Sequence, residues 1–224
     1  MAHSVLVSDF DGTITQKDFY ALIADRYMTG DPYDAWRRYR AGEISHFDAM
    51  QSFFSHAPEH PVTLNHLLDD VDPDPRLAEA AKQLEVNGWD LTIVSAGSSW
   101  YIDRILARFG VHAVVHANPG EIKQGQGLVL EAPTRSRFFC PDVGISKKAV
   151  VLDAISRYAA VAFAGDGPPD VAPSLLVPPE FRFARGYLAE ELARRGENFH
   201  PYTTWAEIVD YLTRETTPRA DASI

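Results

Sequence analysis

Cysteine is almost absent from this sequence. Cys140 stands alone, which excludes an internal disulfide and a cysteine-rich zinc site. A surplus of positive charge is also missing. Lys and Arg number 21 against 31 Asp and Glu, a net charge of −10, which argues against a nucleic-acid or anionic-membrane partner. An anionic small molecule stays possible, because local groups can override the global field. No apolar run reaches membrane-spanning length, and a strand pattern begins almost at once without a basic leader, so the expectation is a cytoplasmic protein. His46, His56, His60 and His66 lack zinc-ligand spacing. What remains is 224 residues, 46% hydrophobic and 23% charged, enough for one large domain or for a core carrying an insertion.

VLVSDF near the N-terminus is a β-branched run of the kind buried in parallel sheets. From Asp18 to about Asp70 the pattern is helical and strand-free, in four pieces separated by GDP, AGEIS and APEHP. Strand and helix then alternate: RLAEAAKQLEVNG, DLTIVSAG, SSWYIDRILARFG, VHAVVHA, KKAVVLDAISRY, AAVAFAGDG, PPEFRFA, YLAEELARRG and TTWAEIVDYLTRE. Within this series, ANPGEIKQGQGLVLEAP reads as a hairpin excursion. The alternation predicts an α/β fold, a doubly wound parallel sheet, with a small helical unit inserted after the first strand. The expected division is a core of residues 1–15 and 72–215, a helical cap of 16–71, and a flexible tail of 216–224.

The chemistry collects at strand ends. VLVSDFDGT brings Asp9 and Asp11, LTIVSAGSS brings Ser95, Ala96 and Gly97, and AVAFAGDGPPD brings Asp166 and Asp170. In a parallel sheet all three endings share one rim, where ligands bind. Four carboxylates there repel one another unless a hard cation intervenes, and magnesium prefers such oxygen sites. Lys148, beginning a helix ahead of the third strand, could supply a fixed positive charge. Taken singly each feature has a plainer account: Ser95 as a helix cap, GDGPPD as a turn, Lys148 as a solvated lysine. Together they fit phosphoryl chemistry.

DFDGT, SAG, a lysine and GDGPPD, in this order, resemble the four motifs of the haloacid dehalogenase-like phosphatases. The helical insertion between the first two motifs is similar to the subclass containing phosphoserine phosphatase. The second half, with ANPGE…GLVLEAP, Cys140 ahead of SKKAVVLDAI, and FARGYLAEEL…FHPYTTWAEI, resembles the methionine-salvage (MtnX-like) branch and the vertebrate phosphoethanolamine/phosphocholine phosphatases. The resemblance implies a magnesium-dependent phosphomonoesterase acting on a small phosphate ester, as a monomer or homodimer. In it Asp9 is the nucleophile and Asp11 the general acid and base. Magnesium would be held by Asp9, the Asp11 backbone carbonyl and Asp166, with Asp170 steadying the site. Ser95, Ala96, Gly97 and Lys148 would hold the phosphate.

The same resemblance places an acidic residue near Asp18 against a substrate ammonium. Thr15 to Asp18 also has the spacing of a capping box, and Asp18 could itself cap the helix that follows. Lys147 and Lys148 are adjacent, and the helix pattern favours the second. The prolines of GDGPPD depart from the family's usual loop. Arg37, Arg38 and Arg40 read as a solvated helix face, and Trp36, Phe53 and Phe54 as core of the insertion. A phosphotransferase and a catalytically retired phosphate-binding module are the rival functions.

Overall fold

Val5, Leu6 and Val7 of strand β1 (Ser4–Ser8) are wholly shielded from solvent, so both faces of this strand are covered, as a continuous apolar run requires. In the computed structural model, which describes residues 4–214, β1 lies inside a six-stranded parallel sheet. On one side it pairs with β2 (Trp89–Ser98), followed outward by β3 (Val114–Asn118). On the other it pairs with β8 (Ala160–Gly165), followed by β9 (Arg182–Ala184) and β10 (His200–Pro201). Strand order therefore reverses at β1, and the carboxyl end of that strand is the switch point where such sheets open a crevice.

Alternation along β1 divides the core. Leu6 faces the layer of α5 (Leu77–Val86), α6 (Ser99–Arg108) and α10 (Trp205–Arg214). Val5 and Val7 face α7 (Lys147–Arg157), the short α8 (Val171–Ser174) and α9 (Gly186–Arg195). Burying each such side chain contributes roughly 1.5–3 kcal/mol. Local signals set the helix ends: the Ser146 hydroxyl accepts from Ala149 N–H to open α7, and Gly196, at φ +72°, closes α9.

Between β1 and α5 lie four helices: α1 (Phe19–Tyr27), α2 (Asp34–Arg40), α3 (His46–Phe54) and α4 (Pro61–Asp69). Their entry and exit run side by side, with Gln16 N–H donating to Asp72 O and Asp74 N–H to Ile14 O, both at 2.9 Å. The antiparallel hairpin β4 (Gly120–Lys123) and β5 (Gly127–Leu130) grips α3 through the Gln51 side chain. That amide accepts from Leu130 N–H at 2.6 Å and donates to Leu128 O at 3.2 Å. A second hairpin, β6 (Phe139–Cys140) and β7 (Gly144–Ile145), was not expected from the sequence. Its turn residue Asp142 takes the Phe47 N–H on its carbonyl at 2.7 Å and the His46 N–H on its carboxylate at 3.1 Å. It thereby satisfies two amides that the first turn of α3 leaves open.

Other differences are small. VHAVVHA becomes strand only from Val114, and PPEFRFA begins as a 3-10 turn, Pro179–Phe181, before β9. The tail expected from residue 216 lies outside the described residues. Among the described residues no helix is long and apolar enough to cross a membrane.

Candidate active site

The chain leaves β1 at Ser8 and coils tightly, with the N–H groups of Thr13, Ile14 and Thr15 all directed at Phe10 O. This coil separates the two aspartates, which an extended strand would have aimed the same way. Asp9 stays over the sheet end and accepts Lys147 Nζ at 2.7 Å on Oδ1. Asp11 turns aside: Phe19 N–H donates to its Oδ1 at 3.0 Å, and the Tyr101 hydroxyl donates to its Oδ2. Gly12 makes the turn possible. Its φ is +69°, and a Cβ there would lie 2.3 Å from Asp166 Oδ2, so only glycine admits both the bend and the approach of β8.

Asp166 and Asp170 follow β8 across a 3-10 turn, Pro168–Asp170. Asp170 Oδ1 accepts the same Lys147 ammonium at 2.7 Å, while its Oδ2 accepts the Asp166 and Gly167 N–H groups at 3.1 and 3.0 Å. The two prolines remove donors at 168 and 169, and the bonds that fix Asp170 come from the residues before them. Asp166 accepts from the Thr13 hydroxyl at 3.1 Å, and that hydroxyl is met in turn by Tyr202 Oη at 3.3 Å. One oxygen from each of Asp9, Asp166 and Asp170 lies within 4.8 Å of the others, a grouping able to hold a metal ion.

The lysine expectation needs correction. Lys147, not Lys148, is buried among the carboxylates, and Lys148 is exposed. The Ser146 cap sets the phase of α7, turning its first residue inward and its second out. The capping expectation for Asp18 also fails. Asp18 occupies the position before α1, but its side chain makes no cap hydrogen bond. Burial raises its carboxyl, with the Tyr20 hydroxyl opposing, and the first helical amide goes to Asp11. Thr15 spends its hydroxyl on the Phe10 and Lys17 carbonyls. Nor does Ser95 cap α6, since that role belongs to Ser98, whose hydroxyl accepts from Trp100 N–H at 3.2 Å.

Ser95, Ala96 and Gly97 lie where the β2–β3 register shifts, between Val94 and Ser98. Ser95 Oγ accepts Gly97 N–H at 2.9 Å. Asn118, at the end of β3, donates to Ala96 O and Val143 O and so ties the end of β2 to the β6–β7 hairpin. Arg185, just past β9, donates to Gly12 O at 2.5 Å, Thr15 O at 2.7 Å and Thr203 O at 2.8 Å. Thr13, Tyr101, Asn118 and Arg185 thus shape the site without having been expected to. Only Thr13 left a trace, in the DGT motif; the other three act through contacts distant in sequence.

Burial and the adjacent Asp170 charge push the Asp9 carboxyl well above the ordinary range, against the pull of Lys147. Burial, then Asp170 and Asp18, raise Asp166 to about 7. Burial and Asp18 raise Asp11 to about 6, with the Tyr101 and Phe19 hydrogen bonds opposing. Burial works against the Lys147 ammonium, but Asp170 and Asp9 outweigh it and hold the group protonated. The site is short of positive charge, and its donors are hard oxygens, so the residues present fit a magnesium ion. Arg37 and Arg38 lie on the solvated face of α2, in exposed ion pairs with Asp31, Asp34 and Glu43.

A family model described as haloacid dehalogenase-like hydrolase matches residues 6–172. A 2-hydroxy-3-keto-5-methylthiopentenyl-1-phosphate phosphatase of Brevibacillus brevis is 24% identical over 213 residues, 93% of each chain. Among solved structures, a HAD family hydrolase of Salmonella enterica serovar Typhi superposes with a TM-score of 0.71 at 18% identity, covering 96% of this chain and 72% of that one. A phosphoserine phosphatase captured as a phospho-aspartyl intermediate analogue gives 0.65 at 16% identity, covering 94% and 99%. These structural likenesses concern the fold.

Proposed function

From the premise that this chain belongs to the haloacid dehalogenase-like hydrolases, we propose that it is a phosphomonoesterase working through an aspartyl-phosphate on Asp9. The observation that carries the reading is the division between the two aspartates. Asp9 sits with Asp166, Asp170 and Lys147, while Asp11 is held apart with its carboxyl raised to about 6. A group near that value can give a proton and take one back near neutral pH.

In the first step an Asp9 oxygen attacks phosphorus, the bond to the ester oxygen breaks, and the Asp11 proton passes to the departing alkoxide. In the second step Asp11, now a carboxylate, takes a proton from the water that attacks phosphorus. The Asp9–phosphate bond breaks, and Asp9 and inorganic phosphate are restored. Lys147 holds Asp9 in place and adds positive charge beside the phosphoryl oxygens. The Ser95 hydroxyl and the Ala96 amide offer donors to those oxygens. Magnesium would be held by Asp9, Asp166 and Asp170 with the Asp11 carbonyl, and would supply charge neutralisation between the carboxylate and the phosphate.

The finer proposal is a substrate like that of the Brevibacillus relative, a phosphorylated methionine-salvage metabolite. That likeness extends over nearly the whole of both chains. Asp18 favours a neutral or cationic group of the substrate on its side of the site. Two cations act on it, Lys147 and Arg185, and both are already engaged. Phosphate release from a panel of phosphorylated metabolites, with magnesium and with chelator, tests the reading. Release that persists in excess chelator would refute the metal assignment, and release from no ester would refute the phosphatase.

A further inference from the structure

Tyr101 touches the site at one atom and is otherwise enclosed by rings. Its side chain has no solvent exposure. It stacks on Phe19 with centroids 4.4 Å apart, and it meets Phe54 and Phe10 at 6.0 and 6.2 Å. In such surroundings phenylalanine would fill the same space without a hydroxyl to desolvate, so the hydroxyl needs its own explanation. That hydroxyl donates to Asp11 Oδ2, while the Phe19 N–H donates to Oδ1 at 3.0 Å. On its other side lies the end of β2, where Ser95 Oγ accepts from Gly97 N–H at 2.9 Å. A Cβ at position 97 would lie 1.9 Å from Tyr101 Oη, so Gly97 is part of the seat.

We propose that Tyr101 is a positioning residue for proton transfer, holding the Asp11 carboxyl in one orientation beside Gly97 at the end of β2. The proposal rests on the role given to Asp11 above. A free carboxyl rotates about two side-chain bonds and can present its proton in several directions. Here each oxygen already accepts one hydrogen bond, which confines the exchangeable proton to the remaining lone pairs. The stacked Phe19 ring and Phe19 N–H belong to the first residue of α1, so the same clamp joins Asp11 to the helical insertion. Displacement of a reacting group by an ångström costs on the order of 10²-fold in rate.

The test compares Tyr101→Phe with wild type on two esters, p-nitrophenyl phosphate and the alkyl phosphate that the wild-type protein hydrolyses fastest. The aryl leaving group departs without a proton, whereas the alkoxide needs one. The informative quantity is kcat/KM, which reports phosphoryl transfer to Asp9 and not the later hydrolysis. The expected result is a loss of about 10²-fold on the alkyl ester and less than about threefold on the aryl ester. On an Asp11→Asn background the same change should cost nothing further on either ester, and this comparison holds even if the substitution lowers the melting temperature. Equal losses on the two esters, or an additive loss in the double variant, would overturn the inference as mere packing. No release by the wild type from any ester would instead overturn the phosphatase reading, and the inference with it.

Discussion

Lys147 and Lys148 show how much one residue of helical phase decides. The first joins Asp9 and Asp170 with two 2.7 Å contacts in a buried site, and the second faces solvent. Removing one member of a buried ion pair typically costs about 3–5 kcal/mol, because the other charges are left uncompensated. Lys147→Met should therefore lower the melting temperature strongly and abolish phosphate release. Lys148→Ala should change stability by less than about 0.5 kcal/mol and leave turnover close to wild type. The reverse ranking, in melts and phosphate-release assays on both variants, would contradict the placement of these side chains. Asp9, Asp11, Asp166 and Asp170 were legible in the sequence because each stands in a short motif at a strand end. Tyr101, Asn118 and Arg185 were not, because a side chain's partner across the fold leaves no local pattern.

At the scale of elements, the strands and helices of the core were legible from their periodicities. The β6–β7 hairpin and β10 were not legible, since two-residue strands are too short to carry an alternating pattern. The helical insertion was visible as strand-free sequence, but its ties to the core through Gln51 and Asp142 were not. His46 opens α3 beside Asp142, and burial lowers its imidazole from 6.5 to about 4. The unfolded chain therefore binds the proton first as pH falls. The stability from keeping His46 neutral is complete above about 6.5 and is lost progressively toward 4, by an amount on the order of 3 kcal/mol. His46→Phe should remove this contribution, so its melting temperature should fall less than that of wild type between pH 6.5 and 4. Parallel pH profiles for the two proteins would contradict it.

Across the whole molecule negative charge prevails by 10, and three of the carboxylates, Asp9, Asp166 and Asp170, gather at the carboxyl end of the central strands. Asp166 and Asp11 ionise at about 7 and about 6 in the folded state, against 3.8 ordinarily. A raised carboxyl favours folding below its unfolded value and loses that advantage as pH rises through the folded one. The metal-free protein should thus lose stability between about pH 4 and 7 at this site, in the sense opposite to His46. Magnesium should raise the melting temperature more at pH 8 than at pH 5, as read by thermal melts in chelator and in excess cation. An equal shift at both values would argue against binding at these carboxylates.

Covalent chemistry at Asp9 is the central claim, and one measurement meets it directly. Asp11→Asn impairs the base needed for the second step while p-nitrophenyl phosphate needs no acid in the first, so the phosphorylated protein should accumulate. Mass spectrometry of acid-quenched Asp11→Asn, mixed with that ester and magnesium, should find one phosphoryl group on the peptide spanning Ser4–Ser8 and Asp9, located at Asp9. Release of p-nitrophenol with no phosphorylated peptide, or with the phosphoryl group on another residue, would contradict the account.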